Sequence, residues 1–469
     1  VTDYSMKYDL SALNALDSLN GIQVISRLHT LGLSRSDLMN PEANMTSLNT
    51  NIQSALSGLP TQTVQYTGTD VDDLNQFLQN NTGKIVQLTQ DIQVYKNTNG
   101  SFGIIMVPSD TILDGTGHRL VMKAGYTEAP DVGVVLYVYK DGVIPSTNCG
   151  VKNLSTDIPY VNSINVFSAD NILIENNTLN NATKSGIMIS DEYGSTVNGI
   201  IRGNTINNVG DDAIAVYGNH SNLLIDSNRI SGAKGFAGIA ISCLQNGQQI
   251  RVDNETTGPH DIIVTGNVIS GCSGEALYCI GSYKTYITYN TLRDSILEGV
   301  CLDSGCIGNY FAHNEVVNNG IAGGLPGVSI DNGIYNIVDS NNIYNNSCSG
   351  IKLVRTGLGN IIVNNICTDN AYNQMGAKSS GIDIEPLAVE TENLGYIDGL
   401  GSNWNVVLNN TVTGSHDFGV FIADDDTANN GGSSCENVIM YNKFSSAYTF
   451  GAADFSSMSS TVKNNITLN

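Results

Sequence analysis

Five charged side chains stand at matching places in a series of short, similar segments. Each segment begins with a small residue, from which we number its positions. The fourth position after the small residue carries Asp303, Asp331 and Glu385, and the second position carries Lys352 and Asp383. If the segments are strands on neighbouring coils, residues at equal positions lie about 4.8 Å apart at Cα. Carboxyl groups brought together in this way can perform acid–base chemistry.

The spacing of these carboxyl groups predicts hydrolysis of a glycosidic bond. Asp303 and Asp331 occupy the same position on successive segments, so we expect their carboxyl groups about 5 Å apart, as in a retaining pair. Pairs that include Asp383 would be wider, as in inverting enzymes. Two like charges this close raise one pKa, which a general acid needs. We predict catalytic roles for Asp303, Asp331, Asp383 and Glu385; the alternative is that Asp303 and Asp331 are turn residues that follow a strand.

Four further residues are candidates for binding a sugar. Lys352 and Arg355 would hold hydroxyl groups or offset the acidic cluster, although either residue alone would be ordinary surface. Trp404 is the only tryptophan, and we predict that it and Tyr278 pack against the face of a sugar ring. The alternative for Trp404 is that it covers the core.

The segments that carry these residues belong to a repeat. From about residue 160, a small residue, two branched apolar residues two apart and an Asn-rich turn recur every 23 to 38 residues. Most repeats hold a second short strand, as at residues 171–174. Insertions at residues 242–259 and 386–403 lengthen two repeats and are expected to wall a groove. The small-residue segments are Gly186–Ile189, Ala213–Val216, Gly238–Ile241, Ala276–Cys279, Gly299–Leu302, Gly327–Ile330, Gly350–Leu353, Gly381–Ile384 and Gly419–Ile422.

This repeat predicts an all-β fold, a right-handed parallel β-helix over residues 81–469. Alternation within each segment places positions one and three in a continuous core and positions two and four on an outer groove. Asn at the turns tolerates a left-handed backbone, and its amide can hydrogen-bond from coil to coil. A leucine-rich solenoid would need Leu-dominated repeats with helix-forming segments, and the sequence has neither.

The first 80 residues have a different pattern, and we predict a short α-helical N-terminal cap region at residues 1–80. Asp70 is the expected N-cap of one helix, and residues 58–60, Gly-Leu-Pro, are expected to end another. A cap would cover the open strand edges and the core at the end of the coils. The alternative is an interface to a partner subunit or a chaperone. The segments with helical apolar spacing are residues 11–30, 47–56 and 70–79.

Composition excludes several classes of protein. The net charge of −23 repels nucleic acids and anionic membranes. No stretch approaches the roughly 18 apolar residues that span a bilayer, and no basic and apolar leader opens the chain, as expected of a soluble protein whose signal has already been removed. We predict a secreted or cell-surface protein. Nine scattered cysteines without CxxC spacing predict neither disulfides nor a zinc site, and most are expected in the core. We predict no cofactor or metal, although the acidic groove could hold calcium.

Residues 210–216, Gly-Asp-Asp-Ala-Ile-Ala-Val, resemble the Gly-Asp-Asp strand motif of polygalacturonases, in which this Asp pair takes part in hydrolysis. The resemblance covers one coil. The preceding coil has Thr-Lys-Ser at 183–185 where the family has Asn-Thr-Asp, and residues 235–238 replace its Gly-His-Gly. The family's Arg-x-Lys motif is absent. The resemblance therefore makes Asp211 and Asp212 second-choice residues, with Asp212 as a substrate contact.

A broader resemblance covers residues 85–465 and is to the pectate-lyase-like superfamily of carbohydrate-active β-helix proteins. A helical N-terminal region that leads into such a β-helix is also similar to the bacterial lacto-N-biosidases. These are retaining hydrolases that release a disaccharide from milk-type oligosaccharides, and the resemblance implies a neutral substrate.

We therefore predict a glycoside hydrolase that cleaves a neutral oligosaccharide or glycan with a pair of carboxylates. A polysaccharide lyase or C5-epimerase is one alternative; it would need a base near a neutralised uronate carboxylate, often with Ca²⁺, and Lys184 and Arg202 would serve. A non-enzymatic glycan-binding adhesin or tailspike-like module is the other, and such proteins are commonly trimers. The expected partner is an oligosaccharide or polysaccharide, with no nucleic acid and no membrane span.

Overall fold

Short parallel strands dominate the computed structural model, which divides into two compact units. Unit I comprises residues 47–248 and 258–273, and unit II comprises residues 1–46, 249–257 and 274–469. The structure describes residues 2–19, 23–98, 102–136, 146–245, 248–249, 258–371, 380–386, 401–424, 432–446, 448 and 450–468.

Unit I is built of coils that each contribute strands to three parallel sheets. Sheet A contains β1, β2, β5, β8, β11, β14, β17 and β22; sheet B contains β3, β6, β9, β12, β15, β18 and β23; sheet C contains β4, β7, β10, β13, β16 and β19. The strands that begin in unit I are β1 Gln62–Tyr66, β2 Lys84–Leu88, β3 Ile92–Val94, β4 Ile105–Met106, β5 Ile112–Asp114, β6 Arg119–Met122, β7 Val132–Leu136, β8 Ser146–Lys152, β9 Ser155–Thr156, β10 Asn162–Phe167, β11 Ala169–Glu175, β12 Thr178–Asn180, β13 Ile187–Ser190, β14 Val197–Arg202, β15 Thr205–Asn207, β16 Ile214–Tyr217, β17 Ser221–Asp226, β18 Arg229–Ser231, β19 Ile239–Ser242, β20 Leu244–Gln245, β21 Gln248–Gln249, β22 His260–Thr265 and β23 Val268–Ser270.

Unit II repeats the same arrangement. Its sheet A strands are β25, β28, β31, β34, β37, β40 and β43, its sheet B strands are β26, β29, β32, β35, β38, β41 and β44, and its sheet C strands are β24, β27, β30, β33, β36, β39 and β42. The bounds are β24 Leu277–Ile280, β25 Tyr283–Thr288, β26 Thr291–Arg293, β27 Val300–Asp303, β28 Tyr310–Ala312, β29 Glu315–Val317, β30 Val328–Asp331, β31 Ile337–Asp339, β32 Asn342–Tyr344, β33 Ile351–Val354, β34 Ile361–Val363, β35 Ile366–Thr368, β36 Ser380–Ile384, β37 Val406–Leu408, β38 Thr411–Thr413, β39 Phe418–Ile422, β40 Val438–Met440, β41 Lys443–Ser445, β42 Phe450–Asp454, β43 Thr461–Lys463 and β44 Ile466–Leu468.

Both units have the predicted β-helix architecture, and the small residues mark sheet C. All nine segments predicted from the repeat overlap strands of sheet C in the two units. Positions one and three are buried in the core, as at Val300 and Leu302, which have no exposed surface. The small residue is required because the next coil passes close by: a Cβ at Gly299 would lie 2.8 Å from the carbonyl oxygen of Gly327. The nine cysteines are buried and carry free thiols.

Asparagine forms the predicted rows at the turns, and the two residues of each Asn-Asn pair have different roles. The first residue of a pair takes the left-handed backbone, as Asn364 does at φ 59°. The second residue is buried, and its side-chain amide joins one coil to the next, as Asn365 Nδ2 does in donating to Asn410 Oδ1 at 3.0 Å. Because these donors and acceptors are buried, each row satisfies polar groups that would otherwise be costly to leave unpaired.

The helices lie between residues 4 and 80. Asp70 is the N-cap of its helix, as predicted, and its side chain accepts a hydrogen bond from Asp72 N at 2.9 Å. The first strand of sheet A, β1, lies inside the predicted cap region, between two of the segments with helical spacing. The helices are α1 Tyr4–Lys7, α2 Asn14–Asp17, α3 Gln23–Thr30, α4 Arg35–Leu38, α5 Pro41–Ala55 and α6 Val71–Asn80, with 3₁₀ turns at Ser11–Leu13 and Leu56–Gly58.

The helical segment of unit II lies against the outer side of sheet A, which corrects the predicted position at the end of the coils. Tyr4 donates to Asp339 of β31, and Arg27 donates to the carbonyl oxygens of Gly281 at 2.8 Å and Gly305 at 3.0 Å. The outer side of sheet A needs cover because it is apolar: Ile361 has no exposed surface although it is adjacent along the strand to the inward Ile362.

In unit I, α6 packs against β3 and β4, which are the first strands of their sheets. A capping role for α6 stays a prediction. None of the described helices combines the length and the apolar character needed to cross a membrane.

Candidate functional site

The outer side of sheet C in unit II gathers the predicted catalytic residues on neighbouring coils. β27 and β30 pair from Val300↔Val328 to Leu302↔Ile330, and the next matched position holds Asp303 and Asp331. Each side chain is only partly exposed. The prediction that the two residues share a position on successive coils is therefore confirmed.

Asp303 turns toward the preceding coil and is held by hydrogen-bond donors. Tyr278 on β24 donates its hydroxyl to Asp303 Oδ2 at 2.8 Å. The backbone N and Oγ of Ser304 both donate to Asp303 Oδ1, at 2.6 and 2.9 Å. The predicted turn chemistry is thus present as well, since the Ser304 contacts are those of a turn residue. Burial, followed by the charge of Asp303, raises the pKa of Tyr278 well above its ordinary value.

Asp331 turns toward the following coil. Its Oδ2 forms an ion pair with Arg355 Nη1 at 3.0 Å, and its Oδ1 is buried without a hydrogen-bond partner. Burial and then the charge of Asp303 raise the pKa of Asp331 well above its usual value, and Arg355 only partly opposes this. A carboxyl group in this setting takes up a proton more readily than usual, which is what a general acid needs.

Lys352 joins Asp383 and Glu385 in a second cluster on the same side of sheet C. Its Nζ lies 2.9 Å from Glu385 Oε2 and 4.0 Å from Asp383 Oδ2. Burial by itself would lower the pKa of Lys352, but the two carboxyl groups raise it above its ordinary value. Burial, and then Glu385, raises the pKa of Asp383 strongly, and Ser349 Oγ lies 3.4 Å from Asp383 Oδ2.

Sequence reasoning missed Glu298 and Glu275, which precede the small residues of β27 and β24. Burial is the main cause of the raised pKa of the Cys301 thiol, and the charges of Glu298, Glu275, Asp303 and Asp331 raise it further. Burial raises the pKa of Glu298 to about 7, and Asp303 contributes in the same direction. The signal was an acidic residue directly before the small residue in two successive repeats, Glu-Ala and Glu-Gly.

Trp404 does not lie in a strand of sheet C. It has a left-handed backbone, φ 56°, two residues before β37 of sheet A, and its N donates to Cys435 O at 3.4 Å. Its stacking on a sugar stays a prediction. Of the insertions predicted to wall the groove, residues 246–247, 250–257 and 387–400 lie outside the described part of the chain.

The second-choice residues lie in unit I. Asp212 has no exposed surface; it accepts hydrogen bonds from Ala237 N, at 2.8 Å, and from the hydroxyl of Tyr217. Burial raises the pKa of Asp212 to about 7. Asp212 therefore has no surface at which to meet a substrate in this structure, and its contact with Ala237 joins its coil to the next.

The structure does not bring together the two bases suggested for a lyase. Arg202 is on sheet A, where its Nε pairs with Glu175 Oε1 at 2.6 Å. Lys184 lies in the turn before β13 of sheet C, and its N donates to Val161 O. Because they belong to different sides of the coil, they cannot act on one sugar.

Within the described ranges, no three His, Cys, Asp or Glu side chains are arranged to hold a metal ion. The two clusters on sheet C instead supply carboxyl groups in unequal environments, an ammonium group and a guanidinium group. Such groups can donate and accept protons and can hydrogen-bond sugar hydroxyls.

Comparison with known proteins agrees with this architecture. A family model described as "Right handed beta helix region" matches residues 136–316. Together with the three parallel sheets, this match identifies the fold as a right-handed parallel β-helix. A search of curated proteins finds no match.

Solved structures of several proteins are similar in fold. The A-module of the mannuronan C-5 epimerase AlgE6 of Azotobacter vinelandii is 14% identical, with 86% of this chain and 100% of that chain covered and a TM-score of 0.51. PfbA, a surface adhesin of Streptococcus pneumoniae, is 12% identical over 82% and 91% of the two chains, with a TM-score of 0.49. The tailspike protein of E. coli bacteriophage HK620 is 14% identical over 81% and 73%, also at 0.49.

Proposed function

We propose that the protein hydrolyses glycosidic bonds of a neutral oligosaccharide or glycan on the outer side of sheet C in unit II. The observation that carries this proposal is the contrast between Asp303 and Asp331. Asp331 has a strongly raised pKa and acts as the general acid. Asp303, held by Tyr278 and Ser304, acts as the second carboxylate, and the pair splits the roles that glycoside cleavage requires.

The charge of the site supports a neutral substrate. Among the described residues, six acidic side chains lie on or beside this part of sheet C, and Lys352 and Arg355 form ion pairs with Glu385 and Asp331. Both basic groups would have to leave these carboxyl groups before they could neutralise a uronate carboxylate. The six acidic residues are Glu275, Glu298, Asp303, Asp331, Asp383 and Glu385.

A polysaccharide lyase or C5-epimerase is the second candidate. It is supported by the similarity in fold to a mannuronan C-5 epimerase and by the hydroxyl of Tyr278, which lies on the same side of sheet C as the carboxyl groups. In this reaction Arg355 would have to leave Asp331 to neutralise a uronate. The similarity to a surface adhesin and a tailspike is one of fold alone. Glycan binding without turnover is the third function, and the experiment must distinguish it from hydrolysis and from lyase or epimerase activity.

Product analysis of the purified protein distinguishes these functions. Neutral oligosaccharides and polyuronates are incubated with calcium or with a chelator, and reducing ends, absorbance at about 235 nm and the proton NMR spectrum of the uronate, which reports epimerisation, are followed. New reducing ends on neutral glycans without unsaturated products are expected, and the anomer formed reports on the Asp303–Asp331 pair. Unsaturated or epimerised uronate would overturn the hydrolase proposal, as would binding without any product. We also propose that the protein works outside the cell, where such glycans occur.

A further inference from the structure

Phe421 continues the row of charged residues on the outer side of sheet C, and two further phenylalanines, Phe418 and Phe455, pack against it. The second position holds Lys352 on β33, Asp383 on β36 and Phe421 on β39, as the strand register shows. The ring centroid of Phe421 lies 5.1 Å from that of Phe418 and 5.4 Å from that of Phe455. The row therefore changes from charged to aromatic within one coil.

Exposure within this cluster is uneven. Phe418 and Phe421 are buried, whereas Phe455 is 40% exposed. Phe455 meets Phe418 edge-on, with their planes at 89° and their centroids 6.2 Å apart. Two fixed rings thus hold a third ring at the surface, and an aromatic ring on a rigid support is suited to the apolar C–H face of a sugar.

We propose that Phe455 and Phe421, supported by Phe418, form a subsite that stacks on a sugar ring of the glycan cleaved at Asp331. The proposal deepens the hydrolase proposal and rests on it for the identity of the glycan. β30, which carries Asp331, is three coil steps from β39, which carries Phe421, and four from β42, which Phe455 follows; these are distances of about 14 and 19 Å. A sugar unit is similar in length to one coil step, so the subsite holds roughly the third to fourth sugar from the cleaved bond.

Phe455, and not Trp404, would then be the residue that stacks on the sugar. Phe421 is in strand register with Asp383, whereas Trp404 precedes a strand of sheet A. Substrates that end before the third sugar should therefore bind without help from Phe455.

The test is binding of the full chain to a printed array of neutral oligosaccharides of two to six sugars. Phe455→Ala removes the exposed ring and should fold, because that side chain is partly exposed. Loss of one stacking contact is expected to weaken binding of glycans of four or more sugars by about five- to tenfold and to leave disaccharide binding unchanged. Phe455→Tyr should retain binding, and Met458→Ala, a control that removes another exposed apolar side chain of the same unit, should have no effect.

Equal binding by the wild type and Phe455→Ala across the array would overturn the subsite, as would a loss that is the same for every length. Absence of binding to every glycan would also overturn it. Length-dependent binding that depends on Phe455, without turnover by the wild type, would retain the subsite and reject the hydrolase. Matching melting temperatures exclude misfolding as the cause of a loss.

Discussion

Asp303 and Asp331 occupy the same position on successive coils, but they have different partners. Asp303 faces the hydroxyl of Tyr278 on the preceding coil, and Asp331 faces Arg355 on the following coil. A parallel β-helix makes such a pair easily, because one substitution per coil adds a group to the same row. The division into acid and carboxylate then depends on neighbours and not on residue type.

Asp303→Asn and Asp331→Asn should each lower kcat by about 10²- to 10⁴-fold, since each removes a proton-transferring carboxyl group without changing its shape. Melting temperatures should change little. Asp226→Asn, on the outer side of sheet A in unit I, is the matched control and should keep full activity. Near-normal turnover by both site variants would reject this site.

Glu298 predicts a dependence of stability on pH. Its pKa in the folded state is raised to about 7, so its contribution to stability is present at low pH and is lost as the pH rises through that value. Glu298→Gln cannot ionise and should gain stability relative to the wild type at pH 8, by up to about 3 kcal/mol, but not at pH 4. Denaturant unfolding at the two pH values checks this, and an equal effect at both would contradict it.

The sequence predicted the row positions of Asp303, Asp331, Lys352, Asp383 and Glu385, because alternation in a strand fixes which side a residue faces. The sequence did not predict the hydrogen-bond and ion-pair partners of these side chains, because the rotamer of each side chain determines whether it reaches the preceding or the following coil.

Glu298 and Glu275 were missed for a different reason. They precede the strand, where alternation no longer applies, and only the bend of the backbone places them near Cys301.

At the scale of elements, the buried asparagine rows join successive coils of each unit. Asn341 Oδ1 accepts from the N and Nδ2 of Asn314, and Asn341 Nδ2 donates to Asn365 Oδ1 and Phe311 O. Asn341→Ala leaves several buried groups unpaired and should lower the free energy of unfolding by about 2–4 kcal/mol. Asn342→Ala, at the exposed next residue, should cost less than about 0.5 kcal/mol. Chemical denaturation compares the two, and equal losses would show that the row does not stabilise the fold.

The strands of sheet C were predicted well because a local pattern of four residues defines them. The position of the helical segment at residues 1–46 was not predicted, because the strands that it contacts are remote in sequence. One local signal was available: Ile361–Val363 and Val406–Leu408 are continuous apolar runs, which predict strands covered on both sides.

Deleting residues 1–46 should expose the apolar outer side of sheet A in unit II, including Ile361 and Val363. We expect the truncated protein to bind a hydrophobic dye and to aggregate, as judged by size-exclusion chromatography. The Arg27→Leu variant, in which the segment loses its bonds to Gly281 and Gly305, should show a weaker effect of the same kind. A monomeric and fully active truncation would show that the segment is dispensable.

At the scale of the whole molecule, each coil contacts only its two neighbours, so deletion of one complete coil should be tolerated. β12 and β15 pair from Thr178↔Thr205 to Asn180↔Asn207, so deletion of residues 178–204 joins Asn177 to Thr205 and preserves every row. We expect a folded protein with a modestly lower melting temperature. Deletion of residues 178–203 retains one extra residue and should disturb the register, because a slip of one residue turns core side chains outward. Similar circular dichroism and melting of both deletions would contradict this reasoning.

The contacts of Tyr4 also set an order of events during synthesis. Its hydroxyl meets Tyr310 and Asp339, which lie 306 and 335 residues later in the chain. At roughly 5–20 residues per second, a ribosome needs about 15 to 70 seconds to make the intervening chain. This segment is made before the coils that it covers, so its apolar side chains stay without their partners while those coils are still being translated.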